Sequence, residues 1–568
     1  MITNYLKLIF IIFIFFFPIE AKTKNTYSKD FNSKQLSNYF SGIISHNNNK
    51  NEQALKYLKS SKQLLNEHEE YFRKFIYSLV LNQSIDRAFQ EIKFLKNKNQ
   101  SEFFEAQLLL LIDSINKKKF DKAKLYLKKL SEFTEEGTFE KVIYETLRDY
   151  TYTFENKKIS TFKSNFGNLV AINNAFQSCY LNDPKTLDYF NRLKNSEAAD
   201  YSRYLFFYVN YLVHEKRFDL VKKISSEINE LSSNLIILQT KAWIEKSNFK
   251  EIEKIFSCKN ENDLLAEFFY LVSNLYSSQE EFEQSNFYLN ISYFLNKKFK
   301  INLSLMADNY FLNENYEQSL KVLEIFNLKD DLYYWFKIKQ TGKIITEQRN
   351  NEESLKFIES NFKKIKNPSN KILFDLAAVY KNSKKYEKSI DLYTSIMSTT
   401  DKSSLNYADL LYRRGGSYER INEYKKSDRD LLSALDLIPN NSYVLNYLAY
   451  SWLERDKNIN KAISMLEKAY KENDNDPYII DSVGWGYYLV GRYTDAEKYM
   501  RRAIELMPND PIVNDHYGDI LWKMNRKIQA RYFWKSVLKM NDTEKEMVDS
   551  IKEKLIKGLP KKKNNESL

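Results

Sequence analysis

The side chains best placed to do chemistry lie together in Asn514-Asp515-His516-Tyr517-Gly518-Asp519. On a helix Asp515 and Asp519 stand at i and i+4 and share a face, with His516 about 100° round from Asp515. Two carboxylates beside an imidazole are the parts of a cation site or an acid–base pair. The dipole at a helix start explains Asp515 more simply. The remaining histidines, His46, His68 and His214, are far apart, and none has the H-E-x-x-H spacing of a zinc hydrolase. The chain has no G-x-S-x-G, no phosphate-cradling glycine loop and no paired-cysteine metal motif. The expectation is therefore a protein with no catalytic, cofactor or metal residues.

The elements that would position these residues show a fixed period. Gly415, Ala449, Gly484 and Gly518 fall 34, 35 and 34 residues apart, which is the mark of stacked helical hairpins. Setting Pro477 to Asp510 above the next unit matches Pro477 with Pro511, Ala496 with Ala530 and Met500 with Trp534. Gly484 and Ala496 supply the small residues that let two helices cross closely. Ile480, Val483 and Tyr487 line one face of the first helix. Gly491 suits the left-handed turn between the two helices, and Thr494-x-x-Glu497 predicts a capping box on the second. Pro508 closes the unit.

These positions resemble the tetratricopeptide repeat. The family pattern is met by Gly484, Tyr487, Ala496, Ala503 and Pro508-Asn509-Asp510, and by counterparts such as Gly415, Tyr418, Tyr424, Ala434, Leu448, Trp452, Ala462 and Ala469. The resemblance is close over about residues 370–540 and implies an all-α, right-handed α-solenoid. It also implies that partner polypeptides dock on the concave face. Carried onto this chain, that face is Asn446, Tyr450, Asp481, Trp485, Tyr488, Asp515, Asp519 and Trp522. Acids mixed with Trp and Tyr suit a peptide carrying basic and apolar side chains. The basic residues of the peptide-carboxylate clamp known in some members are not matched.

Upstream the rhythm continues in weaker form. Phe218, Phe249, Phe282, Tyr316 and Tyr386 each follow a short polar turn and open a second helix, and Phe120 with Ala123 marks an earlier hairpin. Residues 185–341 contain neither Gly nor Pro, which favours uninterrupted helices. Roughly ten to thirteen hairpins are expected at about 34 residues each. The sequence divides into an export signal (1–21), degenerate repeats (22–200), divergent repeats (201–369), well-formed repeats (370–540), and a capping helix with a basic tail (541–568). Thr543-x-x-Glu546 predicts the start of that last helix, and Gly558 its end near Lys557.

Lys7, the apolar run Leu8 to Phe17 and small Ala21 predict a cleaved export signal, because ten apolar residues fall short of the about 20 needed to span a bilayer. A retained inner-membrane anchor is the alternative. No cysteine follows the run, which excludes lipid anchoring by that route. Lys, Asn and Ile usage with export points to a bacterial periplasm. Cys179 and Cys258 lie about two repeats apart, beyond the usual disulfide reach of ~7 Å between Cα atoms, so two unpaired core thiols are expected. The charge is +12 from 87 basic and 75 acidic residues, alternating along helices, which argues against nucleic acid. Lys561-Lys562-Lys563 permits weak attraction to a membrane or cell wall.

The wording at 481–493 and 514–522 is similar to exported envelope repeat proteins of proteobacteria. That likeness implies a periplasmic scaffold or adaptor. Its specialised version partners an envelope protease that controls cell-wall hydrolases, and a structural protein of the membrane or cell wall is the reading of another class.

Overall fold

The computed structural model describes residues 33–62, 69–95, 102–160, 168–195, 202–540 and 543–559. Over these residues the chain is an all-α solenoid of antiparallel helix pairs, thirty helices with no strand. The export segment 1–21, His68 and the tail from Pro560 through Lys561 to Lys563 lie outside the described residues. The helices exceed ten to thirteen pairs because upstream units are shorter than 34 residues; Phe218 and Phe249, for example, are 31 apart.

One turn builds the hairpins. Asn49, Gln83, Lys118, Lys216, Glu280, Glu314, Lys384, Asn422 and Asn525 all have positive φ, between 54° and 63°, two residues before the next helix. The amide after each left-handed residue reaches back to the first helix, as in Lys119 N to Ser114 O and Arg217 N to Leu212 O at 2.8 Å, and Arg492 N to Tyr487 O at 2.9 Å. That bond satisfies a carbonyl the helix end would leave free. Gly491 (φ 82°) is the turn's one glycine among these hairpins, so a glycine search finds a single turn where the backbone makes many. The aromatic openers hold their places: helices begin at Phe120, Phe218, Phe249, Phe282, Tyr316 and Tyr386.

Both proposed capping boxes are absent. The helix Tyr493–Leu506 starts one residue before Thr494, with no side-chain cap, and Glu497 instead meets Arg501, Arg526 and Tyr517. The helix Lys545–Lys557 likewise has no side-chain cap; Thr543 Oγ1 donates to the carbonyls of Val537 and Met540. Side-chain caps do form elsewhere, as at Asn441, Asp476 and Asp510, the last two each accepting two amides ahead of a proline at the first turn.

The described residues form two compact units, one up to residue 227 together with 234–325, the other 228–233 together with those from 326 on. The hairpin Asp331–Gln348 and Asn351–Phe362 lies in the second of these units.

The N-terminal unit fills its own inner side. Helix Phe104–Asn116 is buried from Phe104 to Ile115, and helix Phe282–Leu295 is buried nearly all round, the pattern of helices inside a core. Residues of the pair Glu261–Ser278 and Phe282–Leu295 pack on earlier hairpins. Phe139 meets Tyr276 at 4.8 Å, Tyr77 meets Phe287 at 4.5 Å, and His46 Nε2 meets Glu283 at 2.9 Å. Asn315 Nδ2 donates to Asn49 O at 3.1 Å, joining the first described turn to the last of the unit. This inward fold also corrects the thiol expectation. Cys179 and Cys258 form a disulfide with Cα atoms 5.9 Å apart, because the turn before Glu261 is carried back onto the helix ending at Leu181. Tyr180 Oη donates to Glu261 at 2.8 Å beside it.

Inside this unit Arg203 forms two 2.7 Å hydrogen bonds to Glu267, which has no exposure, and lies 3.7 Å from the Tyr270 ring centroid.

Candidate peptide-binding groove

In the C-terminal unit the first helices of successive hairpins, Leu405–Arg420, Ser442–Glu454, Pro477–Leu489 and Pro511–Lys523, form the inner layer. Close crossing to their partner helices sets them there. A Cβ on Gly484 would come within 3.1 Å of Met500 and 3.3 Å of the Ala496 carbonyl, and one on Gly518 would overlap the fully buried Trp534 indole. The larger residue at 534 and the glycine at 518 are therefore one packing decision.

A cleft of about 440 Å³ runs across this layer, lined by Glu419, Arg420, Tyr447, Tyr450, Tyr478 and Asp481, with Asn446, Ser451, Asp510 and Ile512. Asn446, Tyr450 and Asp481 are sequence-assigned groove residues that the structure brings together here. Two polar atoms in it are buried without a hydrogen-bond partner, Asn446 Oδ1 and Ser451 Oγ, and Ser451 is only 5% exposed. Such atoms cost stability unless a ligand or water meets them. Burial, reinforced by the Glu454 and Asp481 carboxylates, pushes the Tyr450 phenol far above its ordinary range, so it remains a neutral donor.

The other assigned residues are engaged within the chain. Trp485 donates from Nε1 to Glu454 at 2.7 Å and stacks on Tyr488 (4.6 Å between centroids) and His516 (3.9 Å). One indole thereby braces three inner helices. Asp481, 6% exposed, pairs with His516 Nδ1 at 2.9 Å. Burial alone would lower the histidine, but Asp481, with Asp515 and Asp519 beyond it, raises its pKa above 6.5. Lys554 of the last helix reaches Asp515 at 2.7 Å and Asp519 at 2.8 Å. Its ammonium stands where a cation bound by these two carboxylates would stand. Asp519 also accepts from Trp534 Nε1 at 3.0 Å, and burial first, then Asp515, pushes its carboxyl up to about 6 against the pull of Lys554. Trp522 packs on Trp534 at 5.3 Å and faces Gly558, where a side chain would run into the indole. A second hollow of about 550 Å³ remains beside Trp485 and Tyr488, bordered by Lys554 and Leu559.

Sequence reasoning missed Arg420, Tyr447, Ser451, Tyr478 and Ile512. A signal for part of the set was present. Tyr443, Tyr478 and Ile512 recur 35 and 34 residues apart, six before the small residue of each unit, and all are about half exposed (52%, 58% and 51%).

Residues 342–542 match the family model described as tetratricopeptide repeat. This segment is built of tetratricopeptide repeats. The TPR repeat-containing protein PA4667 of Pseudomonas aeruginosa is 36% identical over 111 residues, which is 20% of this chain and 19% of that relative. The chain thus spans about a fifth of the length of this curated relative. Among solved structures, the TPR protein TTC0263 of Thermus thermophilus is 15% identical, covering 33% of this chain and 99% of its own, at a TM-score of 0.30. MamA of Desulfovibrio magneticus RS-1 is 15% identical, covering 31% and 97%, at a TM-score of 0.27.

Proposed function

We propose that this TPR protein is a non-catalytic scaffold or adaptor of the bacterial cell envelope that holds a partner polypeptide in the cleft between Arg420 and Asp481. The observation that carries this reading is the cleft itself, in which Asn446 Oδ1 and Ser451 Oγ lack partners while tyrosines line the walls. An extended polypeptide supplies what such a site needs, amide donors for the free oxygens and side chains for the aromatic walls. The Cys179–Cys258 bond and the apolar leader support an oxidising, exported setting. Delivery of the partner to an envelope protease is the specialised form of this role.

Tyr450→Ala with Tyr478→Ala tests the cleft more cleanly than Trp485→Ala, which would also unbrace Glu454 and His516. A photo-crosslinking residue at Ile512, 51% exposed on the cleft wall, should capture a polypeptide in envelope extract, and the tyrosine pair should abolish that product. Equal capture by the folded double variant would remove the assignment.

A further inference from the structure

The outer helix of the last hairpin, Lys527–Val537, carries no acid, whereas the outer helices before it, Tyr386–Met397, Tyr424–Leu437, Ile459–Glu472 and Tyr493–Leu506, each carry two or three. From Ile520 to Met540 the sequence holds six basic residues and no acid. Lys527, Lys535 and Lys539 form no ion pair among the described residues.

The same helix turns part of its apolar surface outward. Ala530, Trp534 and Val537 are buried against the repeat, and Ile528, Tyr532 and Lys535, at i, i+4 and i+7, occupy the opposite side, with Lys539 just past the helix end. Ile528 is 88% exposed and Tyr532 70%. In the register that pairs Ala496 with Ala530, the preceding outer helix has Thr494, Lys498, Arg501 and Glu505 at these four places. That helix answers its own charges, with Arg502 and Glu505 3.4 Å apart and Arg501 on Glu497. The last one exchanges a mixed polar surface for apolar side chains among lysines. The end of the final helix borders this face: Arg531 Nε donates to the Leu555 carbonyl at 3.4 Å, and neighbouring Ile556 is 79% exposed.

We propose that this face docks on an anionic lipid surface, Ile528 and Tyr532 entering the headgroup layer while Lys527, Lys535 and Lys539 meet lipid phosphates. Apolar side chains that stand out from an outer helix find no cavity of their own to fill, and a headgroup layer yields around them, with tyrosine suited to the boundary between apolar and wet. Lysine stems cover apolar surface and carry their ammonium groups to the phosphates. A second copy of the chain fits worse, since a symmetric contact would set these lysines against one another without a counter-ion. Docking through the outer helix leaves the inner layer and its cleft free, so this surface adds to the groove reading and does not depend on it.

The test places an environment-sensitive fluorophore on Ile528→Cys in the full chain, whose native cysteines are joined to each other, and the same label on Ser360→Cys, an exposed site of helix Asn351–Phe362. Vesicles of phosphatidylethanolamine with phosphatidylglycerol should shift the Ile528 label to the blue, and nitroxide lipids should quench it, while the Ser360 label stays unchanged. That contrast separates this face from any lipid binding by the apolar leader. Lys535→Gln with Lys539→Gln should weaken the vesicle titration at Ile528 by about fivefold for each lysine removed, and vesicles of phosphatidylcholine alone should act more weakly still. No blue shift at Ile528, an equal response of both labels, or a response indifferent to the lysines would overturn the inference. A stronger response to soluble polyglutamate or duplex DNA than to anionic vesicles would overturn it in favour of a macromolecular polyanion.

Discussion

The two units are made from the same hairpin and the same left-handed turn, yet they do opposite things with their inner faces. In the N-terminal unit the pair Glu261–Ser278 and Phe282–Leu295 packs against earlier hairpins, and buried rings such as Phe207, Phe268 and Phe287 fill the interior. In the C-terminal unit the inner helices stay open to a cleft, and only the last is covered, by helix Lys545–Lys557. A repeat array thus becomes a closed core or keeps an open cleft according to whether its own later helices turn inward. The inner sequences differ accordingly: FEAQLLLLI at Phe104–Ile112 offers nothing for a solvated groove, whereas Asn446, Tyr450 and Asp481 alternate with buried Leu448, Ala449 and Ile480.

The largest effect that would break this comparison is loss of the disulfide. Closing a 79-residue loop restricts the unfolded chain by about 4 kcal/mol on the chain-entropy account, so Cys258→Ser should lower the stability of the N-terminal unit by that order. Urea unfolding followed by hydrogen exchange should show the loss confined to residues before 326. Equal protection with and without the bond would mean that packing alone closes the unit.

Gly518→Ala sharpens the other side of the contrast. Its methyl would meet the Trp534 indole, and overpacking of this kind costs roughly 1–3 kcal/mol. Thermal melts should show a lower transition for the C-terminal unit, and Trp534→Met, which restores the Gly484 and Met500 type of contact, should return much of it in the double variant. No recovery would separate the two positions.

The smallest effect is a slope with pH. His516 and Asp519 both have raised pKa values in the fold, so the folded state binds their protons more tightly than the unfolded state does. Their contribution is complete below the unfolded pKa and is lost as pH rises through the folded one, from 3.8 to about 6 for Asp519 and above 6.5 for His516. Asp428 and Glu497 are depressed by arginines and hydrogen bonds, so their contributions fade only below their ordinary values, at more acid pH. Between pH 5 and 8 the last repeat should therefore lose stability as pH rises, and His516→Gln with Asp519→Asn should flatten the dependence. A slope of the same size in that variant would place its origin elsewhere.

Much of the candidate site was legible where the period was strong. The spacing of Gly484 and Ala496 placed the crossing helices, and the family resemblance, carried onto that register, assigned Asn446, Tyr450 and Asp481 to their inner side. The fates of Asp515, Asp519 and Trp522 were not legible, since Lys554 and Gly558 lie 35 or more residues away and outside the repeat pattern. The capping boxes failed for local reasons: after the left-handed Gly491 the helix starts at Tyr493, leaving Thr494 inside the first turn, whereas the last helix starts only at Lys545, leaving Thr543 outside it.

Local chemistry therefore fixed the helices, their pairing and their turns, because hydrogen bonding and apolar periodicity act within a few residues. Which inner faces stay open, which cysteines join and which carboxylates find a cation depended on contacts between segments tens to hundreds of residues apart. Asn49 meeting Asn315 and Lys554 meeting Asp515 and Asp519 are juxtapositions that only the stacked helices could make.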